Sequence, residues 1–350
     1  MFPTTVIGSI PRPQWVRQLV LDRKAGIVSQ EEADRVLDRA IESAILLQER
    51  AGLDEITDGE WRRESYVKVF AECVGGFKPD LTMSGMMPYP AVVEPIEYTR
   101  PIAADEVRFL RPRTQRRIKA TIPGPYTIGR RMWDAAYSKA AYPTRRDLME
   151  ACVPILRQEI DNLKQAGADT VQLDEPWLCV LVDPAFCKQE GIENVEAEID
   201  LCVEVVNQTV ADVVGVTTGI HLCHAHFDHK HGSEGPLDRI MPGLTRLNVG
   251  IISLELATPV SKGMECLAHF PDEARLGLGC IDHCDRAIET PQIVVSRVEE
   301  AMKYIDKDRI VLHPDCGFAP SVQNPMDWDE AYLKLVAMCQ GAQLLREKHG

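Results

Sequence analysis

RIKATIPGP at 117–125, TRRDLMEACVPILRQEIDNLKQAG at 144–167 and TVQLDEP at 170–176 form one unit of strand, helix and strand. Arg117 to Ile122 is short, partly β-branched, and stops at Pro-Gly-Pro. Thr144 to Ala166 repeats its apolar residues with helical spacing, and Gly167 supplies the stop. Thr170 to Leu173 is again strand-like and ends at Asp174-Glu175-Pro176. Alternation of this kind implies parallel strands with helices packed outside them.

The same unit recurs in both directions. Upstream, Thr4 to Ser9 reads as a buried strand. Ser29 with Glu32 is a capping box, Ala33 to Ala51 a helix, and Gly52 its stop. Glu55 to Glu60 is a strand and turn, and Trp61 to Cys73 a helix ended by Gly75-Gly76. Residues 78–113 are rich in Pro, Met and Gly and read as an insertion carrying a hairpin, with Glu94 to Thr99 as one strand. Downstream come helix Val195 to Val214 and strands Val216 to Cys223, Ile251 to Leu256 and Arg275 to Asp282. Helix Thr290 to Ile305, strand Arg309 to Asp315 and helix Asp327 to Lys348 complete the order. Eight strands with helical connections predict a (β/α)₈ TIM barrel, one domain over 1–350, with the 78–113 insertion between strands two and three. The competing fold, a doubly wound open sheet, finds no G-x-G-x-x-G after a strand to support it.

Bulk properties narrow the function. The 350 residues are 45% hydrophobic and 26% charged, ordinary globular usage. A formal charge of −14 disfavours a nucleic-acid partner or an anionic membrane surface. Met1 to Pro13 carries three prolines and no apolar core, so no signal peptide is expected, and no stretch approaches the roughly 20 apolar residues of a membrane span. Eleven scattered cysteines predict free thiols in a reducing cytoplasm.

The chemistry gathers where barrels place it, at the C-terminal ends of strands. Those ends read Ser9, Glu60, Pro-Gly-Pro, Asp174-Glu175, His221-x-Cys223, Glu255, Asp282-His283 and Cys316. His221 opens HLCHAHFDHKH (221–231), which holds five of the nine histidines. Residues two apart on a strand share a side, so His221 and Cys223 can reach one ion together. With Glu255 and Cys316 they make a ligand set suited to zinc, drawn from distant strands as in catalytic sites. Other readings stay open: Cys316 as a strand-end turn, Glu255 paired with an arginine, and 174–176 as an exposed turn. Histidines 224, 226, 229 and 231 read as a metal-gathering tract or as loop residues beyond the ligand pair.

These motifs resemble a known family. TTVIGSIPRP (4–13), DGEWRR (58–63), IPGPYTI (122–128), VQLDEP (171–176), HLC (221–223), SLEL (253–256), GCID (279–282) and HPDCG (313–317) resemble the catalytic, C-terminal barrel of cobalamin-independent methionine synthase. PIEYTRP (95–101) in the insertion is similar as well, and the chain looks like a single-domain core relative. The resemblance implies a cytoplasmic methyltransferase of methionine biosynthesis, with Zn²⁺ on His221, Cys223, Glu255 and Cys316. Homocysteine would be activated as a zinc thiolate and methylated to methionine. It would bind at Ile7, Gly8 and Ser9 with Glu60 and Asp174, and Asp282 and His283 would handle protons. Arg131 stands where the family has a tryptophan against its pterin, Val180 replaces a glutamate, and these 350 residues read as one barrel without the family's additional N-terminal one. The expected donor is therefore a methylcorrinoid, free or on a corrinoid protein, in place of polyglutamyl folate. Two rivals remain: alkyl transfer to another small thiol, as in epoxide:coenzyme M transferases, and a zinc-binding protein without catalysis.

Overall fold

The computed structural model describes residues 1–84, 87–227, 229–322 and 327–350. Helices α1 (Gln14–Lys24) and α2 (Gln30–Ala51) precede strand β1 (Glu55–Ile56). Helix α3 (Lys68–Cys73), the hairpin of β2 (Val74–Ser84) and β3 (Met87–Tyr98), and helix α4 (Ala104–Leu110) follow. Then come β4 (Arg117–Pro123), α5 (Pro125–Met132), α6 (Arg145–Ala166) and β5 (Thr170–Asp174). Short helices α7 (Pro176–Cys179) and α8 (Pro184–Gln189) lead to α9 (Val195–Val210) and β6 (Thr217–Leu222). After it stand the small hairpin β7 (His226–Phe227) and β8 (Lys230–His231), helix α10 (Met241–Leu244), and strands β9 (Ile251–Leu254) and β10 (Arg275–Ile281). Helix α11 (Pro291–Ala301), strand β11 (Ile310–Pro314) and helix α12 (Trp328–His349) finish the order.

Local signals set the helix ends. Ser29 Oγ accepts the Glu32 N–H at 3.2 Å, and Gly52, at φ +97°, closes α2. Leu37, Ile41 and Ile45 recur on one face of α2 and are buried against the barrel. Thr144 and Asp147 form a reciprocal capping box at the start of α6, and Gly167 ends it.

Seven parallel strands form the sheet in the order β1-β4-β5-β6-β9-β10-β11. The eighth stave is the segment after Phe2, present as a single parallel bridge between Thr4 and Leu312. The Thr5 N–H donates to Leu312 O at 2.9 Å, and the Glu55 N–H to Thr4 O at 3.1 Å, so this segment joins β11 to β1 and closes the barrel. The predicted strand over Thr4 to Ser9 is shorter because side chains take its remaining carbonyls. Lys119 Nζ donates to Val6 O at 2.8 Å, Gln172 Nε2 to Ile7 O at 3.1 Å, and Thr57 Oγ1 to Gly8 O at 2.6 Å. A clamp from α12 secures the seam: Arg346 donates to Phe2 O at 2.8 Å and pairs with Asp54 Oδ2 at 2.6 Å, and Asp54 Oδ2 accepts the Thr4 N–H at 2.9 Å.

Lys119 is buried within the barrel, and burial pulls its pKa below 10.5 despite the opposing charge of Glu55. The folded state therefore binds fewer protons than the unfolded one between that lowered pKa and 10.5, and stability rises with pH through this window. Lys119→Met is expected to abolish that rise. It should also cost about 1–3 kcal/mol at neutral pH, because Val6 O is left buried without its donor. Urea midpoints at pH 7 and pH 10 check both effects.

Two expectations need adjusting. Only Lys68–Cys73 of the helix expected over 61–73 is helical, and Gly75-Gly76 belongs to β2 instead of ending a helix. Gly76 sits at φ +97°, where a Cβ would meet Glu94 O at 2.7 Å, so this glycine is a bend in the hairpin. The insertion therefore begins at Val74, and it includes α4 as well as the expected strand at 94–99.

Candidate metal centre and substrate cavity

His221 lies in β6 and Cys223 just past it, while Cys316 follows β11 by two residues. The strand ends bring one ligand atom from each of the three within 4.8 Å of the others. Cys316 Sγ lies 3.5 Å from Cys223 Sγ. His221 is buried, and neither ring nitrogen has a hydrogen-bond partner. Burial, and then the neighbouring His313 ring, push its pKa well below the usual range, so the imidazole stays neutral and its lone pair is available. The contact with Cys223, and then burial, push the Cys316 thiol well up. A cation here would reverse that, since a metal-bound thiol ionises.

Glu255, the fourth expected ligand, lies beside the trio with its carboxylate turned to two histidines. Oε2 accepts the His224 N–H at 2.6 Å and sits 3.2 Å from His224 Nδ1, while Oε1 lies 3.1 Å from His231 Nδ1. Burial alone would raise this carboxyl, but its bonds to His224 and His231 outweigh that and hold it well below the usual range. His224 is thus a buried strut between Glu255 and Gly235 O (3.1 Å) and no loop bystander. The sequence spacing carried no signal of this, because the strut depends on a contact 31 residues away.

A cavity of about 650 Å³ opens over the trio. Ile7, Ser9, Glu60 and Asp174, the expected substrate-binding residues, line its wall together with the trio. Gly8 sits behind that wall, where a Cβ would come within 2.4 Å of Glu60 Oε1. Glu60 has φ +59°, and its Oε1 accepts from Thr121 Oγ1 at 2.7 Å with Arg63 at 3.7 Å, while Oε2 is buried without a partner. Arg63 is itself anchored to Glu106 at 2.9 Å. Asp174 accepts from Gln172 at 2.8 Å, and burial together with the Glu60 charge holds its pKa well above the carboxylate range. Two buried carboxylates on one wall suit a cationic group arriving from solvent.

Asp282 Oδ1 accepts the N–H groups of Cys284 (2.8 Å) and Asp285 (3.2 Å), so it shapes the turn after β10. His283 is buried, with its ring centroid 4.0 Å from that of His226, and it shares a 4.8 Å ligand group with His226 and Cys316. The sequence reading missed Tyr66 and Tyr89, which also line the cavity. Tyr89 arrives on the β2–β3 hairpin, and no local pattern marks its direction. Arg131 shares the wall, its guanidinium 4.8 Å from the Tyr89 ring and 5.6 Å from that of Trp177.

Residues 2–344 match the family described as cobalamin-independent synthase, catalytic domain. The chain is 31% identical to a methionine synthase of Saccharolobus solfataricus, over 99% of this chain and 96% of that protein. It is 29% identical to a methionine synthase of Sulfolobus acidocaldarius, over 99% and 93%. A solved B12-independent methionine synthase from Shewanella sp. W3-18-1, in complex with selenomethionine, superposes with a TM-score of 0.82 at 25% identity, covering 99% of this chain and 98% of that one. A putative vitamin-B12 independent methionine synthase from Listeria monocytogenes shares the fold with a TM-score of 0.71 at 20% identity, over 97% and 96%. Among the described residues no helix is long and apolar enough to cross a membrane. The chain therefore belongs to the cobalamin-independent methionine synthase family, as a (β/α)₈ methyltransferase of its catalytic-domain type.

Proposed function

We propose that the chain, acting as one barrel domain over 1–350, methylates the thiol of homocysteine at a zinc ion held by His221, Cys223 and Cys316, with Glu255 as fourth ligand. The observation that carries this reading is the buried, unpartnered His221 ring beside two thiols 3.5 Å apart. Two sulfurs on one tetrahedral zinc lie about 3.8 Å apart, given Zn–S near 2.3 Å, so the donor set fits in type and spacing. Glu255 is the adjustable member: released from His231, its Oε1 is the atom free to turn to the ion. When bound, zinc supplies a Lewis acid that makes a thiol a nucleophile at neutral pH.

The chain's residues do the rest. Glu60 and Asp174 take the substrate ammonium, and backbone N–H groups around Ile7, Gly8 and Ser9 take its carboxylate. Together they aim the sulfur at the trio across the cavity. His283, neutral because of burial and the nearby His226, is placed to accept a proton near Cys316, while Asp282 fixes the turn that carries it. The donor assigned is a methylcorrinoid, free or protein-borne, and Arg131 beside Tyr89 supports it by replacing the aromatic wall used against a pterin. Eleven free cysteines support a cytoplasmic location.

Parallel turnover assays test the substrates, pairing homocysteine or coenzyme M with methylcobalamin or methyl-folate and quantifying zinc in each sample. Homocysteine is expected to react and coenzyme M to fail, because its sulfonate would face Glu60 and Asp174. Turnover of coenzyme M without homocysteine would overturn the reading, and turnover with methyl-folate alone would overturn the donor.

A further inference from the structure

We propose that His231, His283 and Cys284 form a second site for a thiophilic divalent cation of the zinc class, contiguous with the first. One ligand atom from each lies within 4.8 Å of the others. His283 Nε2 and Cys284 Sγ are 3.4 Å apart, against about 3.6 Å for nitrogen and sulfur on one tetrahedral zinc. His231 is oriented for the task. Its Nε2 is 3.0 Å from Thr258 Oγ1, the outer contact that typically fixes a ligating imidazole, and its Nδ1 faces Glu255 Oε1 at 3.1 Å, the contact an ion would displace.

His283 Nδ1 and Asp315 Oδ2 are buried without a hydrogen bond, and Glu255 Oε1 has the His231 ring 3.1 Å away. Glu255, His283 and Asp315 form a further 4.8 Å group. Native proteins leave few buried polar atoms unpaired, so a concentration of them beside histidine and cysteine points to a missing cation. The two sites meet at Cys316, which groups both with His221 and Cys223 and with His226 and His283. Cys284 is only half-buried, giving the ion a way in.

This site goes beyond the proposed methyl transfer, and an ion in it would occupy the His283 ring that the methyl-transfer reading uses for a proton. Metal content of the full chain, stripped with a chelator and reloaded with zinc, tests it, with cobalt(II) absorption reporting thiolate ligation. Two equivalents per chain are expected in the wild type, and one in both Cys284→Ser and His231→Ala. Cys223→Ser should retain one equivalent, with Cys284 thiolate-to-cobalt absorption intact. A wild type holding one equivalent, or two equivalents persisting in both Cys284→Ser and His231→Ala, overturns the second site. Failure of homocysteine turnover by Cys284→Ser with one equivalent bound, the second site being empty, would instead count against the methyl-transfer reading alone.

Discussion

Cys316→Ser is expected to lower homocysteine methylation about a thousandfold and to deplete the metal centre while the barrel stays folded. Lewis-acid activation by a bound metal is worth several kcal/mol, and about 4 kcal/mol corresponds to three orders of magnitude in rate. The fold should survive because other groups hold the loop. The Asp315 N–H donates to Ile281 O at 2.9 Å, Asp315 Oδ1 accepts the Leu256 N–H at 3.0 Å, and the Phe318 N–H donates to Ser9 O at 3.1 Å. Serine replaces one atom in a small side chain and creates no large cavity. Metal analysis, far-ultraviolet circular dichroism and steady-state kinetics on one preparation decide it. Full metal at the first centre with an unchanged rate would remove Cys316 from the ligand set.

Glu60→Gln should raise KM for homocysteine about a hundredfold and leave kcat within a few-fold. A charge-assisted hydrogen bond contributes about 1.5–3 kcal/mol, and its loss from a buried site falls at the upper end. The split follows from position, since Glu60 meets the amino group and the chemistry occurs at sulfur. The side chain has little room to evade this. Thr121 holds Oε1 at 2.7 Å and Gly8 packs against it, so glutamine would occupy the same place without the charge. An unchanged KM, or an equal fall in kcat, would show that the ammonium binds elsewhere.

Much of the barrel was legible because its signals are local. Ser29, Gly52, Thr144 and Gly167 mark helix ends by mechanisms that act within four residues, and the structure uses each of them. Helix α5 escaped notice because Pro125 and Gly129 make IPGPYTIG look like a turn, although Pro at the first helical position is favourable. The first strand was overestimated for a non-local reason, since Lys119 and Gln172 take its carbonyls from across the barrel. At the metal centre, His221 and Cys223 could be read from period two and Cys316 from its strand-end position. The hold of His224 and His231 on Glu255 could not, because it rests on the β7–β8 pairing of His226 with His231 and on a contact between distant strands.

The seam that closes the barrel also constrains how the protein can be made. β1 leaves the ribosome early, yet the far side of its neighbour, the Thr4 segment, finds its partner only when Leu312 in β11 arrives, and the clamp waits for Arg346 in α12. Until nearly the whole chain has emerged, both flanks of the growing sheet present unpaired backbone, the condition that invites edge-to-edge association. Closure joins residues at opposite ends of the chain and is consequently a slow, late event. The nascent barrel should therefore be a client for chaperone protection throughout its synthesis, and only the completed polypeptide can release itself.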